Sequence, residues 1–449
     1  MKTAGGAKKG SAKPVAAVPP ARPAELIFPL IAGCWIGLSL LKFGNPVVLE
    51  SRLTPPATLL QFLIFSWPLQ WGYVVIGLVA LASFPIIRPV IRNSDWPIAL
   101  LGFWLFWQFL SSTRTVEKSL TTITLIHFVS CGVAFLLGWW ALAQTRPGAL
   151  FWVPIFVAMF YVLYAGFDQR HGSLDAMRKE FFAQPNWQLY PGEYILRMQT
   201  NRIWSTLVYP NALAGVLLFF LPITAWKMAE LTARWPRVAR GVLLGLYGYL
   251  GLACLYWTGS KGGWLIALGL VAIGVLHLNF PRKLKIALIS AGLVLGLAAF
   301  FIRFSDYFQR GATSVGARFD YWTAAAQTAR DNPILGTGPG TFWEAYRKIK
   351  PPDAEPARLA HNDYLEQASD SGFIGALAYL GFIGLSLWKL YPRCASRGWP
   401  YLLVWLGLLG WAGQAFIEFP LYIPALAWPA FLFLGWLWAL PDSTDVKER

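Results

Sequence analysis

Along this chain, long runs without Asp, Glu, Lys or Arg alternate with short charged segments. Twelve runs reach 16 residues or more: 26–41, 53–87, 96–113, 119–145, 147–167, 203–226, 241–260, 262–281, 286–302, 371–388, 398–417 and 419–441. A membrane-crossing helix needs roughly 20 mostly apolar residues, with a range of about 17–25. Eleven runs reach that range. The first is one residue short, and Glu25 and Lys42 at its ends can snorkel outward. The 53–87 run is too long for one straight span. Trp67–Ile87 reads as its helix, and 53–66 as a surface-lying or re-entrant lead-in. The alternation of a membrane β-barrel is absent, and helices satisfy their own backbone in lipid. The pattern predicts an all-α polytopic membrane protein with about twelve transmembrane helices.

Composition agrees. Of 449 residues, 13% are charged and 56% hydrophobic, whereas soluble domains carry about 25% charged residues. Several soluble globules, a disordered chain, a disulfide scaffold and a collagen-like fibre are excluded. The 24 Trp residues fit interfacial belts.

Charge sets the orientation. With the N-terminus inside, the inner segments hold 20 of the 38 Lys and Arg against 6 of the 22 acidic residues. That bias favours both termini in the cytoplasm. It also accounts for the net charge of +16 without a nucleic-acid partner. The organisation is then a disordered basic tail at 1–23, a transmembrane domain over 24–440 and a cytoplasmic tail at 441–449. Two long periplasmic loops, about 168–202 and 303–370, carry short helices. The first apolar run follows a basic tail as in a signal peptide, but eleven spans follow it, so it reads as an uncleaved helix. Cys34, Cys131, Cys254 and Cys394 all lie outside the outer loops, and no metal-type spacing appears.

The spans hold almost no charged residues, whereas an ion-coupled transporter places them near the bilayer midplane. The polar inventory sits at the outer boundary instead. In the larger loop, residues 317–330 read as an amphipathic helix stopped by Asn332-Pro333, with Arg318 and Trp322 on one face. Gly336, Gly338 and Gly340 mark a tight turn. Ala360-His361-Asn362-Asp363-Tyr364-Leu365-Glu366 follows, and Asp363-x-x-Glu366 fits a capping box with Asp363 as N-cap. His361 then precedes a helix N-terminus, whose dipole favours a neutral imidazole, as a general base requires. A local loop hydrogen bond is the plainer reading. His127 reads as a packing residue inside a span, His277 lies at a cytoplasmic end, and His171 lies in the first long loop.

Cations form a second constellation. Arg202 precedes a span, Lys261 sits in the turn Thr258-Gly-Ser-Lys-Gly-Gly263, and Arg318 lies in the large loop. Such groups bind phosphate, on a substrate or on a lipid headgroup. The Lys261 turn lacks the P-loop pattern. No Asp-x-Asp occurs in an outer loop, and the first outer loop offers only Glu50, so neither a metal nor another cofactor is expected.

At these residues the chain resembles the O-antigen ligase/polymerase family of bacterial membrane glycosyltransferases. The likeness rests on Arg202…Pro210-Asn211…Ala214, on the Lys261 turn, and on Arg318…Trp322…Asn332-Pro333…Gly336-x-Gly338…His361-Asn362-x-Tyr364-Leu365…Gly372. It covers roughly residues 197–390. Lys261 stands where the family usually has Arg, and Ser205 where Gly is common. The resemblance implies an inner-membrane enzyme with its site at the periplasmic face. Its donor would be a glycan on a polyprenyl pyrophosphate, and its acceptor lipid A–core or another glycan. His361 would be the general base. Arg202, Lys261 and Arg318 would bind pyrophosphate, with Asn362, Asp363 and Trp322 in support. Such a reaction would be inverting and metal-independent. Ligase and polymerase share these motifs. A lipid-linked glycan flippase is the alternative of another class, and it needs the midplane charges that the spans lack.

Overall fold

The computed structural model describes residues 23–441 other than 53–54, 88–94, 146, 191–194, 196–197, 310–312 and 353. Apart from Pro23 and Pro441, the two expected tails lie outside the described residues. Among these residues there are helices and connecting loops and no strand. Each of the twelve charge-free runs holds a helix: α1 Pro23–Lys42, α2 Leu69–Ser83, α3 Trp96–Ser112, α4 Lys118–Trp140, α5 Ala149–Asp168, α6 Pro210–Leu231, α7 Arg237–Trp257, α8 Lys261–Leu276, α9 Arg282–Arg303, α10 Asp363–Arg397, α11 Trp399–Gln414 and α12 Pro424–Ala439. Seven of them (α1, α4, α5, α6, α7, α9 and α10) are long and apolar enough to cross a membrane.

α2 is shorter than the expected Trp67–Ile87. Pro68 stands at its N-cap, and the chain leaves the helix at Ser83, two residues before Pro85. The lead-in carries a short helix, Leu59–Ile64, with Leu59, Leu60 and Leu63 exposed. Lys42 does not snorkel outward. It is buried, and its ammonium donates to the carbonyls of Phe62, Leu63 and Phe65 at 3.1, 2.5 and 3.2 Å. It thus caps the C-terminal end of that short helix, where carbonyls lack helical partners.

α12 forms the centre. Every one of its residues is buried, which suits a helix that is apolar all round. It lies along α4, where Gly138 and Gly435 let the two backbones touch; a Cβ at Gly138 would meet the Trp436 amide at 2.7 Å. α1, α6, α10 and α11 surround this pair.

The 303–370 segment is packed against this bundle. Its helix Thr313–Asp331 lies on α10 and takes in the expected 317–330. Gly336, Gly338 and Gly340 have φ of 64, 105 and 77°, the left-handed region that favours glycine. They let the turn wedge between α4 and α10, where the Gly340 amide donates to Asp370 at 2.7 Å. The segment's last eight residues are already helical and begin α10. Gly372, at φ 70°, then breaks α10 where the expected span begins.

Candidate functional site

The first turn of α10 builds the site from below. The N-cap is Asn362, whose side chain accepts from the amides of Tyr364 and Leu365 at 3.1 and 3.0 Å. The expected cap, Asp363, is therefore displaced by one residue. Asp363 is fully buried and accepts from the Leu421 amide at 2.9 Å. Glu366 does reach back, but to the Ala360 amide at 2.6 Å. Two buried carboxylates thus clamp two loops together: the residues before His361, and the link between α11 and α12.

Glu418 lies in that link. His361 Nδ1 is 3.2 Å from Glu418 Oε2. Arg318 forms an ion pair with Glu418 Oε1, and Asn211 Nδ2 donates to the same oxygen at 2.5 Å. Burial pushes the Glu418 carboxyl upward, but Arg318 and His361 outweigh it and hold it down at about 2. An ionised carboxylate only accepts, so Nδ1 carries the proton and Nε2 of the neutral ring keeps its lone pair. The imidazole lies beside the Tyr321 ring (centroids 5.6 Å apart, 27°) and against the edge of Phe419 (4.8 Å). Its backbone sits at φ 52°, a conformation that costs a non-glycine residue energy and clusters at functional sites.

The cations gather around this pair. Arg202 Nε donates to the Thr258 carbonyl and Nη2 to Asn211 Oδ1, both at 2.6 Å. Burial lowers Arg202 to about 10, with Glu418 opposing the shift and Arg318 adding to it. Lys261, the first residue of α8, holds its ammonium 3.7 Å from the Tyr307 ring centroid and 5.2 Å from that of Phe304. Burial, then repulsion from Arg202, Arg318 and Arg303, lowers it to about 8. Arg318 spends three donors on Glu418, the Ile417 carbonyl (3.1 Å) and the Ser314 carbonyl (2.9 Å). Trp322 Nε1 points to the His361 carbonyl at 3.4 Å.

One cavity of about 610 Å³ brings Arg202, Lys261, Arg318, Trp322, His361 and Glu418 together. Its far wall is apolar, built from Leu265, Phe300, Phe301 and Phe308. A second cavity, about 280 Å³, shares Arg202, Asn211, Tyr321, Glu355, His361 and Glu418 with the first. It continues along Thr200 and Arg358. His361 therefore lines both. Among the described residues no group of three or more His, Cys, Asp or Glu is placed to hold a metal.

The expected residues thus converge, except that Asn362 and Asp363 act from behind, as cap and loop clamp. The other histidines lie apart. His127 is buried on the Leu421 carbonyl at 2.8 Å, His277 bonds the Ile273 carbonyl, and His171 bonds that of Phe167. Ser205, where glycine is common in the resembled family, adopts φ 55°. Gln169 pins it by accepting from its amide at 2.7 Å, and its hydroxyl donates to the Val162 carbonyl at 2.6 Å. Sequence reasoning missed Glu418, although a signal was there. It is the one charge that interrupts residues 398–441.

Residues 246–380 match the family model described as O-antigen ligase. The chain carries an O-antigen ligase family segment. That segment takes in Lys261, Arg318 and His361, while Arg202 and Glu418 reach the same cavity from either side of it in sequence. A curated protein of Haemophilus influenzae, described as uncharacterized, is 26% identical over 164 residues, covering 30% of this chain and 41% of its own length. The match thus spans about two-fifths of that relative.

Proposed function

We propose that this chain is a multi-pass inner-membrane glycosyltransferase of the O-antigen ligase type. It crosses the membrane twelve times, with both termini in the cytoplasm and the His361 cavity at the periplasmic face. It moves a glycan from a polyprenyl pyrophosphate to a sugar hydroxyl on lipid A–core. A polymerase of the same family would use the same groups on a growing glycan.

The observation that carries this reading is the place of His361 at the wall common to two cavities, one cationic with an apolar far side. The larger cavity suits the donor. Its aromatic and aliphatic wall takes the start of the polyprenyl chain, and Lys261 and Arg202 face the pyrophosphate. The smaller cavity admits the acceptor. His361 Nε2 takes the proton from the acceptor hydroxyl, and Glu418 stabilises the imidazolium that forms. The acceptor oxygen bonds to the anomeric carbon from the face opposite the leaving group. The bond from that carbon to the phosphate oxygen breaks, and the electron pair leaves on the pyrophosphate. Lys261 and Arg202 stabilise that charge. Configuration inverts. Arg318, tied to Glu418, acts mainly by fixing the carboxylate and adds positive potential to the cavity.

His361→Ala in a strain lacking the native gene tests this, with membrane insertion confirmed by blot. Loss of a general base costs about 10²–10⁴ in rate, so glycan transfer falls to background and the lipid-linked donor accumulates. Undiminished transfer removes the base and with it the mechanism.

A further inference from the structure

A third cavity, about 450 Å³, lies at the other end of the same helices. Ile223, Lys227 and Glu230 come from the last turns of α6, Pro400 and Tyr401 from the start of α11, and Trp436 from the end of α12. α6 begins, α11 ends and α12 begins beside the His361 site. α11 and α12 have 16 residues each and α6 has 22. At 1.5 Å per residue the two sites are about 24–33 Å apart, close to the thickness of a bilayer's hydrocarbon core. The Lys and Arg bias assigns this end to the cytoplasmic side. The volume falls in the range of roughly 300–1,000 Å³ typical of ligand pockets.

The lining has two chemistries. Inside are apolar surfaces: Trp152 and Ile223, both buried, and Trp436, whose ring stacks on Tyr401 at 5.6 Å and 21°. At the rim, Lys227 Nζ lies 2.7 Å from Glu230 Oε2, and the Glu230 side chain is 55% exposed. The Arg397 guanidinium stands over the Tyr401 ring at 5.7 Å. A cavity that is apolar within and carries adjacent positive and negative groups at the membrane boundary complements a zwitterionic amphiphile. An anionic headgroup would satisfy Lys227 but stand against Glu230.

We propose that this cavity binds one phospholipid of the leaflet opposite the His361 site, with a primary amine in its headgroup. Its phosphate sits on Lys227, its ammonium on Glu230, and one acyl chain enters between Trp152, Ile223 and Trp436. The lipid would fill the space between the ends of the three helices that carry Asn211 and flank Glu418.

The test is native mass spectrometry of the full chain after delipidation, titrated with phosphatidylethanolamine or phosphatidylglycerol. The expected result is one tightly retained phosphatidylethanolamine per chain. Retention should fall at least fivefold in Lys227→Gln and in Glu230→Gln, and be kept in Lys227→Arg. Lys227→Arg also shows that the loss is not a folding failure. A phosphatidylethanolamine with a brominated acyl chain should quench tryptophan fluorescence in the wild type and less in Trp436→Phe. Equal retention of phosphatidylglycerol overturns the role of Glu230. Equal retention in wild type and variants, or no retained lipid, overturns the site.

Discussion

The α4/α12 pair and the α8/α9 pair are both made of apolar helices, yet they are held in opposite ways. α12 is buried along its whole length, and α4 touches it backbone to backbone at Gly138 and Gly435. Only 6% of the apolar stretch of α9 is buried, and its main partner is α8. Helix association in lipid depends on close packing and interhelical hydrogen bonds, because the tails offer no hydrophobic gain. The first pair meets backbone to backbone, with α12 covered on all sides, whereas α9 meets α8 along one edge, where Trp264 Nε1 donates to the Gly296 carbonyl at 3.3 Å, and leaves most of its surface uncovered by protein. The division runs through the candidate site. His361 and Glu418 are carried by loops clamped to the rigid side, and Lys261 and the apolar cavity wall belong to the loosely packed side. A proton-transfer pair needs fixed geometry, whereas a groove for a long lipid chain needs a wall that can part.

The largest effect should come from breaking the tight side. Gly435→Leu places a side chain where the Phe135 carbonyl already sits, so α4 and α12 cannot close. Folded, monodisperse protein should be lost, as read by size exclusion after detergent extraction. Gly292 in α9 has open space where a Cβ would go, and Gly292→Leu should give wild-type yield. Equal yields from the two variants would erase the distinction.

How much of this was legible beforehand follows from the same division. Each charge-free run contains a helix, the structure in which a long apolar segment bonds its own backbone. His361 and the cations draw attention in the sequence because polar residues stand out against an apolar background. What escaped was the partner of each. Glu418 reads as a mere break between two runs until the fold brings it across 57 positions to His361. Asp363 and Glu366 look like a local cap, but the amide that Asp363 serves is 58 residues away. Lys42 looked free to snorkel, because nothing local announces the carbonyls it caps. Long-range pairing leaves no periodic trace.

Glu418→Gln tests the rigid half of the site with a smaller effect. It leaves Arg318 without its carboxylate, and breaking a buried pair by removing one partner typically costs about 3–5 kcal/mol. The carboxyl, held at about 2 in the folded chain, contributes stability that is present above the ordinary glutamate range. That contribution is lost as pH falls from about 4.5 through about 2. In thermal melts the variant should unfold well below wild type at pH 6, and the gap should narrow as pH approaches 2. A gap independent of pH would mean that the carboxylate's charge is not what stabilises the link between α11 and α12.

The smallest effect, and the one that reports on the loose side alone, is a pH profile. Lys261 is lowered to about 8 by burial and by Arg202, Arg318 and Arg303. Its charge is therefore present below that pH and lost above it. If the ammonium holds the donor's pyrophosphate, kcat/KM for the lipid-linked donor, which reports the free enzyme, should fall about tenfold per unit once pH exceeds 8. Lys261→Arg supplies a cation that stays charged throughout, and that limb should flatten. The cation also leans on the rings of Tyr307 and Phe304 at the edge of the apolar wall. On the proposed reading, losing its charge also loosens the wall that takes the lipid chain. A matching alkaline fall in the arginine variant would move the titration to another group and would leave Lys261 as a strut for the wall rather than a ligand for phosphate.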